Sequence, residues 1–359
     1  LAPNSPKEIG GNKLSFLDYL KSNFVIGLSP MDGVTDEAYR QTQCFVSKPD
    51  VIFTEFVSAE GISRGGVKLY DQLLYSANER PIIGQIFGKD PESFYKAAII
   101  LCHLGFDGID INMGCPAKTV TQHGSGAALI GQPELVSAII YSVKKGIEDY
   151  IAHKITINDI ALKKASLDVI KRNLKYSGGV VSLRPTLSVK TRIGINSNVV
   201  DTWIPHLLGH HLDFISLHGR TLKQGYSGLA DWKAISNAAK LAHRSDTKIW
   251  GNGDIKSIEQ AHKYGRKYGV DGILIGRATM GNPWVFSDVV PTLKDRFSLM
   301  CYHAKMFTDT FPSRRFDSLR KHFLLYTTGH PRAKQLRAKI VHLNSITELY
   351  ALEEDFLNC

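Results

Sequence analysis

The chain has 359 residues, room for one large domain and a smaller one, and its 43% hydrophobic and 22% charged residues exclude wholesale disorder. Forty-four Lys and Arg against 34 Asp and Glu give a net charge of +10, which suits a polyanionic partner and equally a plain basic surface. Five cysteines (Cys44, Cys102, Cys115, Cys301, Cys359) form no C-x-x-C pair, which argues against a disulfide framework and a structural zinc site and for a reducing compartment.

No metal is expected. The first twenty residues show no basic region followed by an apolar one, so no secretory signal is expected. No apolar run reaches the roughly 18 residues of a membrane span. The expected compartment is the cytoplasm, with no membrane partner.

Short apolar runs recur along the chain, each followed by a polar cluster and a helix-like stretch. They predict strands at Val25–Ser29, Val51–Thr54, Ile82–Phe87, Gly108–Ile111, Leu187–Thr191, Asp213–Leu217, Thr247–Trp250 and Asp271–Ile275. Six of the seven start-to-start gaps run from 24 to 34 residues, the length of one strand–helix unit. The fifth unit starts late, after a gap of 79 residues that holds a helix from Pro133 and then a Lys-rich insertion over about 147–185. The insertion reads as one or two surface helices. Eight such strands predict a (β/α)8 barrel, with an open doubly wound sheet as the alternative.

After Trp284 the strand rhythm stops, and helical spacing continues to the end. The expected division is a barrel domain over 1–286 and a small all-helical domain over 287–359. Its segment Arg314–Lys339 holds eight Lys or Arg and a single acid, Asp317. Such a run is either an RNA-gripping face or a solvated basic surface.

A barrel carries its site at the C-terminal ends of its strands. Those ends hold Ser29-Pro30-Met31-Asp32, Glu55, Gln85, Asn112 with Cys115, Lys190 with Arg192, His218 with Arg220, Asn252-Gly253-Asp254 and Gly276-Arg277. Glycines after the last two strands allow close approach of an anion to backbone N–H groups, or simply make tight turns. Lys190 points a cation into the barrel mouth or pairs with a carboxylate. Cys115 sits in a glycine- and proline-bounded turn, as an acid–base thiol or a structural one.

Taken together, SPMDGVTDEAYR, TEFVSAEGI, PIIGQIFG, GFDGIDINMGCPAKTVTQHGSGAALI, VKTRIG, FISLHGRT, GNGDI and DGILIGRATMGNPW resemble, in order, the signatures of tRNA-dihydrouridine synthases. FDSLRKHFLLYTTGHPRAKQLR resembles that family's helical domain. The resemblance implies a monomeric flavoenzyme in which FMN, reduced by NADPH or NADH, reduces a tRNA uridine to dihydrouridine. It implies that Pro30, Met31 and Asp32 border the flavin, with Gln85 and Lys190 at its polar edge. Asn252, Gly253, Asp254, Gly276 and Arg277 would hold the ribityl phosphate end, and Cys115 would give a proton to C5 of the uracil. His218 would orient flavin or base, as would Asn112, Arg192 and Arg220 for the base. Arg320, Lys321, Arg332, Lys334 and Arg337 would grip RNA phosphates.

Asp32 stands where many relatives of that family have a small residue. The Lys-rich insertion lies outside the resemblance, as either an extension of the RNA surface or a neutral decoration. Another FMN barrel acting on a free pyrimidine is the alternative enzyme. A tRNA-binding protein without redox chemistry is the alternative from another class.

Overall fold

Each apolar run becomes a strand because it is buried on both faces, the condition that parallel barrels impose. In the computed structural model, which describes residues 16–182 and 184–357, the strands are β1 Val25–Leu28, β2 Val51–Ser58, β3 Ile82–Phe87, β4 Gly108–Met113, β5 Thr186–Arg192, β6 Phe214–His218, β7 Lys248–Asn252 and β8 Gly272–Ile275. They pair in parallel in the order 1 to 8, and β1 closes on β8. The barrel replaces the open-sheet alternative. Cys359 and most of the stretch read for a leader lie outside the described residues.

A repeated aspartate sets the register at the base of the barrel. Asp50, Asp107, Asp213 and Asp271 stand just before β2, β4, β6 and the last strand, and their carboxylates accept the N–H of Ile26, Ile82, Leu187 and Ile249 on the preceding strands, at 2.7–2.9 Å. Above them Phe214 stacks on Trp250 at 3.8 Å with Phe53 edge-on, and a short helix, α1 (Phe16–Ser22), adds Leu20 to this plug. β2 runs four residues past its predicted end, with a register shift between Phe53 and Phe56. That irregularity, a way of re-aiming side chains at a barrel rim, brings Glu55 to the β1 loop, where it accepts the Gly33 N–H at 2.6 Å.

The outer ring is α2 (Glu37–Val46), α3 (Pro91–His103), α4 (Pro133–Ile151), then, after an intervening inserted helix, α6 (Val200–Leu208), α7 (Trp232–Ala242) and α8 (Ile258–Tyr268). Between β2 and β3 there is no long helix, only short helical segments at Ala59–Ser63, Val67–Leu73 and Ala77–Glu79. The inserted helix α5 (Lys164–Tyr176) fills this gap. Ser166, Ile170, Asn173 and Ser177 are buried; Asn173 donates to the carbonyl of Tyr70 at 2.7 Å, and Ser166 to that of Gly65 at 2.9 Å. Its lysines, Lys164, Lys171 and Lys175, and Lys163 just before it face solvent. The sequence reading of a surface helix therefore holds for one face only.

Beyond Phe286, α9 (Leu293–Thr310), α10 (Arg320–Tyr326) and α11 (Ala333–Ile340) form a separate apolar core with Leu299, Met300, Phe323, Leu336 and Phe356. That core extends onto the barrel through Ala38 and Trp284, and Phe45 of α2 stacks on Tyr302 of α9 at 4.2 Å. Among the described residues no helix is long and apolar enough to cross a membrane, and no group of three or more His, Cys, Asp or Glu could hold a metal.

Candidate active site

The strand ends converge on a cavity of about 1000 Å3 at the barrel mouth. The β1 loop contributes Pro30, Met31 and Asp32, the end of β4 Asn112 and its loop Gly114 and Cys115, and β5 contributes Lys190 and Arg192. His218, Asn252, Gly253, Asp254, Gly276 and Arg277 complete the far wall. Of the residues expected from sequence at the cofactor, Gln85 alone is absent from this lining.

Gln85 is fully buried beneath the cavity floor, and both ends of its amide are engaged. Nε2 donates to Asp110 at 2.7 Å and Oε1 accepts from Asn112 at 2.9 Å. Strand alternation turns it inward, and a polar group held in that interior must find partners there. Asn112 passes the order on: its Oδ1 accepts the N–H of Gly114 at 3.0 Å and of Cys115 at 2.9 Å. The turn carrying the thiol is thereby fixed.

Burial raises the pKa of the Cys115 thiol above its ordinary value, with Asp32 adding to the effect. At neutral pH the group is a protonated acid. Burial brings Lys190 down to about 8, helped by the Arg192 charge and opposed by Asp110. Its Nζ donates to Asn252 Oδ1 at 3.2 Å. Burial first, and then the charges of Lys190, Arg192, Arg220 and Arg277, bring His218 down to about 2. His218 is therefore neutral. Its Nε2 lies 3.2 Å from an Arg220 guanidinium nitrogen, which can only donate, so the ring proton sits on Nδ1.

Arg220, expected at the substrate, is buried, and its guanidinium meets His218, the carbonyl of Gly228 and Asp254. Asp254 also meets Arg277 at 2.9 Å. Burial pushes the Asp254 carboxyl up, but hydrogen bonds from Arg220 and the Ala230 N–H outweigh it and hold it below its ordinary value. Arg192 lines the cavity, yet it donates to the carbonyls of Gly114, Thr221 and Gly225 at 2.7–3.1 Å. It ties the Cys115 turn to the loop after β6.

That loop is what the sequence reading missed. Tyr226 and Leu229 line the cavity and are 61% and 83% exposed, far more than a core aromatic or leucine. Arg277 lies over the Tyr226 ring, 5.1 Å from its centroid. Gly225 and Gly228, at φ +57° and +65°, bracket the segment. The string Gly-Tyr-Ser-Gly was the available signal: two glycines around an aromatic residue, just past a strand end.

The basic residues of the helical region line no part of this cavity. Arg320 donates to the carbonyl of Leu343 at 2.8 Å, Arg337 to Thr327 at 2.9 Å, and Arg332 lies 3.7 Å from Asp355. Lys321 donates to the carbonyl of Gly33, and Lys334 is exposed. A smaller cavity of about 360 Å3, lined by Arg314, Lys321, Asp36 and Glu55, separates the β1 loop from α10.

The family model described as "Dihydrouridine synthase (Dus)" matches residues 27–180 and 168–358. A probable tRNA-dihydrouridine synthase of Staphylococcus aureus (strain MRSA252) is 31% identical over 353 residues, 96% of each chain. A probable tRNA-dihydrouridine synthase 2 of Bacillus subtilis (strain 168) is 31% identical over 340 residues, 92% of this chain and 93% of that one.

Proposed function

The chain belongs to the dihydrouridine synthase family, and we propose that it reduces uridines of tRNA to 5,6-dihydrouridine at the barrel mouth, with FMN as resident cofactor and Cys115 as proton donor. The observation that carries this reading is one cavity holding both a protonated thiol, Cys115, and a half-buried lysine, Lys190.

The residues present fit the cofactor. Pro30, Met31, Leu274 and Met280 give apolar walls, while Lys190 and Asn252 give polar partners on one side. At the Gly253 and Gly276 turns, two guanidiniums, Arg220 and Arg277, face one carboxylate, Asp254, leaving positive charge for a phosphate. Held there and reduced by NADPH or NADH, FMN would supply the hydride for C6 of the uracil.

The chain's own residues do the rest. Asn112 holds the Cys115 turn, so the thiol meets C5 of the base without a search over conformations. Lys190 would give the flavin's polar edge a cation, and neutral His218 would offer a hydrogen bond without adding charge. A stacked uridine must leave its RNA helix to reach the cavity, and Tyr226 presents an exposed aromatic face at the entrance.

The helical domain, residues 287–359, carries the RNA contacts in this reading, and the barrel domain, to residue 286, the chemistry. A monomer suffices, since one chain supplies every lining residue named here. The cytoplasm fits a tRNA substrate. The test is direct. Purified protein is titrated with FMN, reduced with NADPH, and given tRNA, with dihydrouridine read by mass spectrometry. A protein that binds no FMN, or binds it and leaves tRNA unchanged, overturns the proposal.

A further inference from the structure

The smaller cavity, of about 360 Å3, lies across the β1 loop from the candidate active site, and the proposed chemistry does not use it. Met31 and Asp32 line the larger cavity, while Gly33 and Asp36 line the smaller one. One loop is thus the partition between them. The opposite wall of the smaller cavity belongs to the helical region. Phe307 and Leu319 give it a buried apolar floor, whereas Arg314, Arg315 and Lys321 stand exposed at its rim.

Glu55 is the buried acid of that floor. It is 5% exposed; its Oε1 accepts the Gly33 N–H at 2.6 Å, and no donor among the described residues meets Oε2. A buried acceptor left open toward a cavity is costly until a donor is supplied. Lys321 donates to the carbonyl of the same Gly33 and forms no ion pair with Glu55 or with any other described carboxylate. Arg314 and Arg315, by contrast, are matched to Asp36 and Asp317. An acceptor and a donor therefore face one cavity from the two ends of one residue, without meeting each other.

A ligand that fits must bring donors to a carboxylate and an acceptor to an ammonium. It must also lay an apolar body against Phe307 and Leu319 and carry negative charge past a cationic rim. Guanine alone among the four RNA bases sets two donors, N1–H and the N2 amino group, beside an acceptor, O6, on one edge. Its phosphates supply the charge.

We propose that the smaller cavity is a guanine pocket of the RNA site, holding a guanine near the target uridine in the same strand while the uridine enters the larger cavity. Glu55 reads its two donors and Lys321 its O6. The inference rests on the tRNA reading of the chain and adds a sequence preference to it.

The experiment compares the affinities of the FMN-loaded protein for fluorescently labelled single-stranded pentamers GGUGG and IIUII, by polarisation. It is run at pH 8, where Glu55, raised chiefly by burial to about 7, is ionised. Inosine differs from guanosine only in lacking the N2 amino group. The wild type should bind GGUGG about tenfold more tightly, the scale of one lost bidentate contact. Glu55→Gln keeps an oxygen for the Gly33 N–H but turns an NH2 toward the cavity, and the preference should fall below about twofold. Lys321→Met should weaken both pentamers alike, because both carry O6. Ser318→Trp, at the exposed rim, should obstruct the entrance and abolish the preference, and it decides should Glu55→Gln not fold. Equal affinity of the wild type for the two pentamers, or a preference that survives Glu55→Gln or Ser318→Trp, overturns the inference. So does discrimination of free 5′-GMP from 5′-IMP without discrimination between the pentamers, which would give the pocket to a free nucleotide. Failure to bind FMN or to reduce tRNA overturns the proposed function instead, whereas the pentamer ratio needs no turnover and tests the pocket alone.

Discussion

Tyr176, the last residue of the inserted helix α5, donates its phenolic hydrogen to Glu37 at the start of α2 over 2.8 Å. Thr310, the last residue of α9, donates to the other oxygen at 2.9 Å. Insertion, barrel and helical region thus meet on one buried carboxylate.

That carboxylate makes stability depend on pH. Burial, and then the charge of Glu79, raise Glu37 to about 7 from an ordinary 4.5. A carboxyl raised in the folded state contributes stability in full below about 4.5, and loses it as pH rises through about 7. Glu55, also raised to about 7 chiefly by burial, acts in the same direction. Thermal melts should therefore show Tm falling from pH 5 to pH 8. Glu37→Gln and Glu55→Gln should each flatten that fall, and an unaltered slope in both would contradict the assignment.

The inserted helix should prove structural. Asn173→Ala removes a buried hydrogen bond to the Tyr70 carbonyl and should cost about 1–3 kcal/mol by denaturant titration. Lys164→Glu and Lys171→Glu lie on the solvent face and should stay within about 0.5 kcal/mol of wild type. If those charge reversals also leave tRNA affinity unchanged, the insertion is packing and not RNA surface.

The contrast shows what the sequence could and could not disclose. All eight strands were legible, because parallel strands read as apolar runs, and their ends named most of the cavity wall. The role of α5 was not, because its partner at Val67–Leu73 lies about a hundred residues earlier, and its buried face is Ser166, Ile170 and Asn173, mostly polar side chains. The buried partners of Gln85 and Arg220 were hidden for a related reason. Sequence gives a residue's position on a strand, but a polar side chain at a rim can turn to the cavity or to a buried partner. For these two, Asp110 and Asp254 decide.

Lys190 should set the alkaline limb of kcat/KM. Its ammonium is brought down to about 8, so the positive charge in the cavity is lost as pH rises through that value. The Cys115 thiol is shifted upward and stays protonated across the same range. Lys190→Arg keeps the charge and should move the limb to higher pH, whereas Lys190→Met should lower kcat/KM throughout and abolish the limb. A limb near 8 that persists in Lys190→Met would belong to another group.

The cations of the helical region should divide by their partners. Lys334 is exposed, and Lys334→Ala should weaken tRNA binding with no change in Tm, lowering the salt dependence of affinity by about one charge if it meets a phosphate. Arg320 holds the Leu343 carbonyl and Asn344, so Arg320→Ala should lower Tm first and affect tRNA binding through the fold. Filter binding across a salt series, with parallel melts, separates the two.

Cys115→Ala should keep the cofactor and lose the product. Its side chain is at the cavity wall, while the turn beneath it is held by the backbone N–H that Asn112 accepts, a bond alanine retains. FMN affinity and the rate of flavin reduction by NADPH should match the wild type, since neither needs the thiol. Dihydrouridine formation should fall by about 100-fold or more, within the range of a lost general acid. Cys115→Ser retains a proton but on a far weaker acid, and should recover little of the rate. If alanine at 115 forms dihydrouridine at the wild-type rate, the proton reaches C5 from elsewhere.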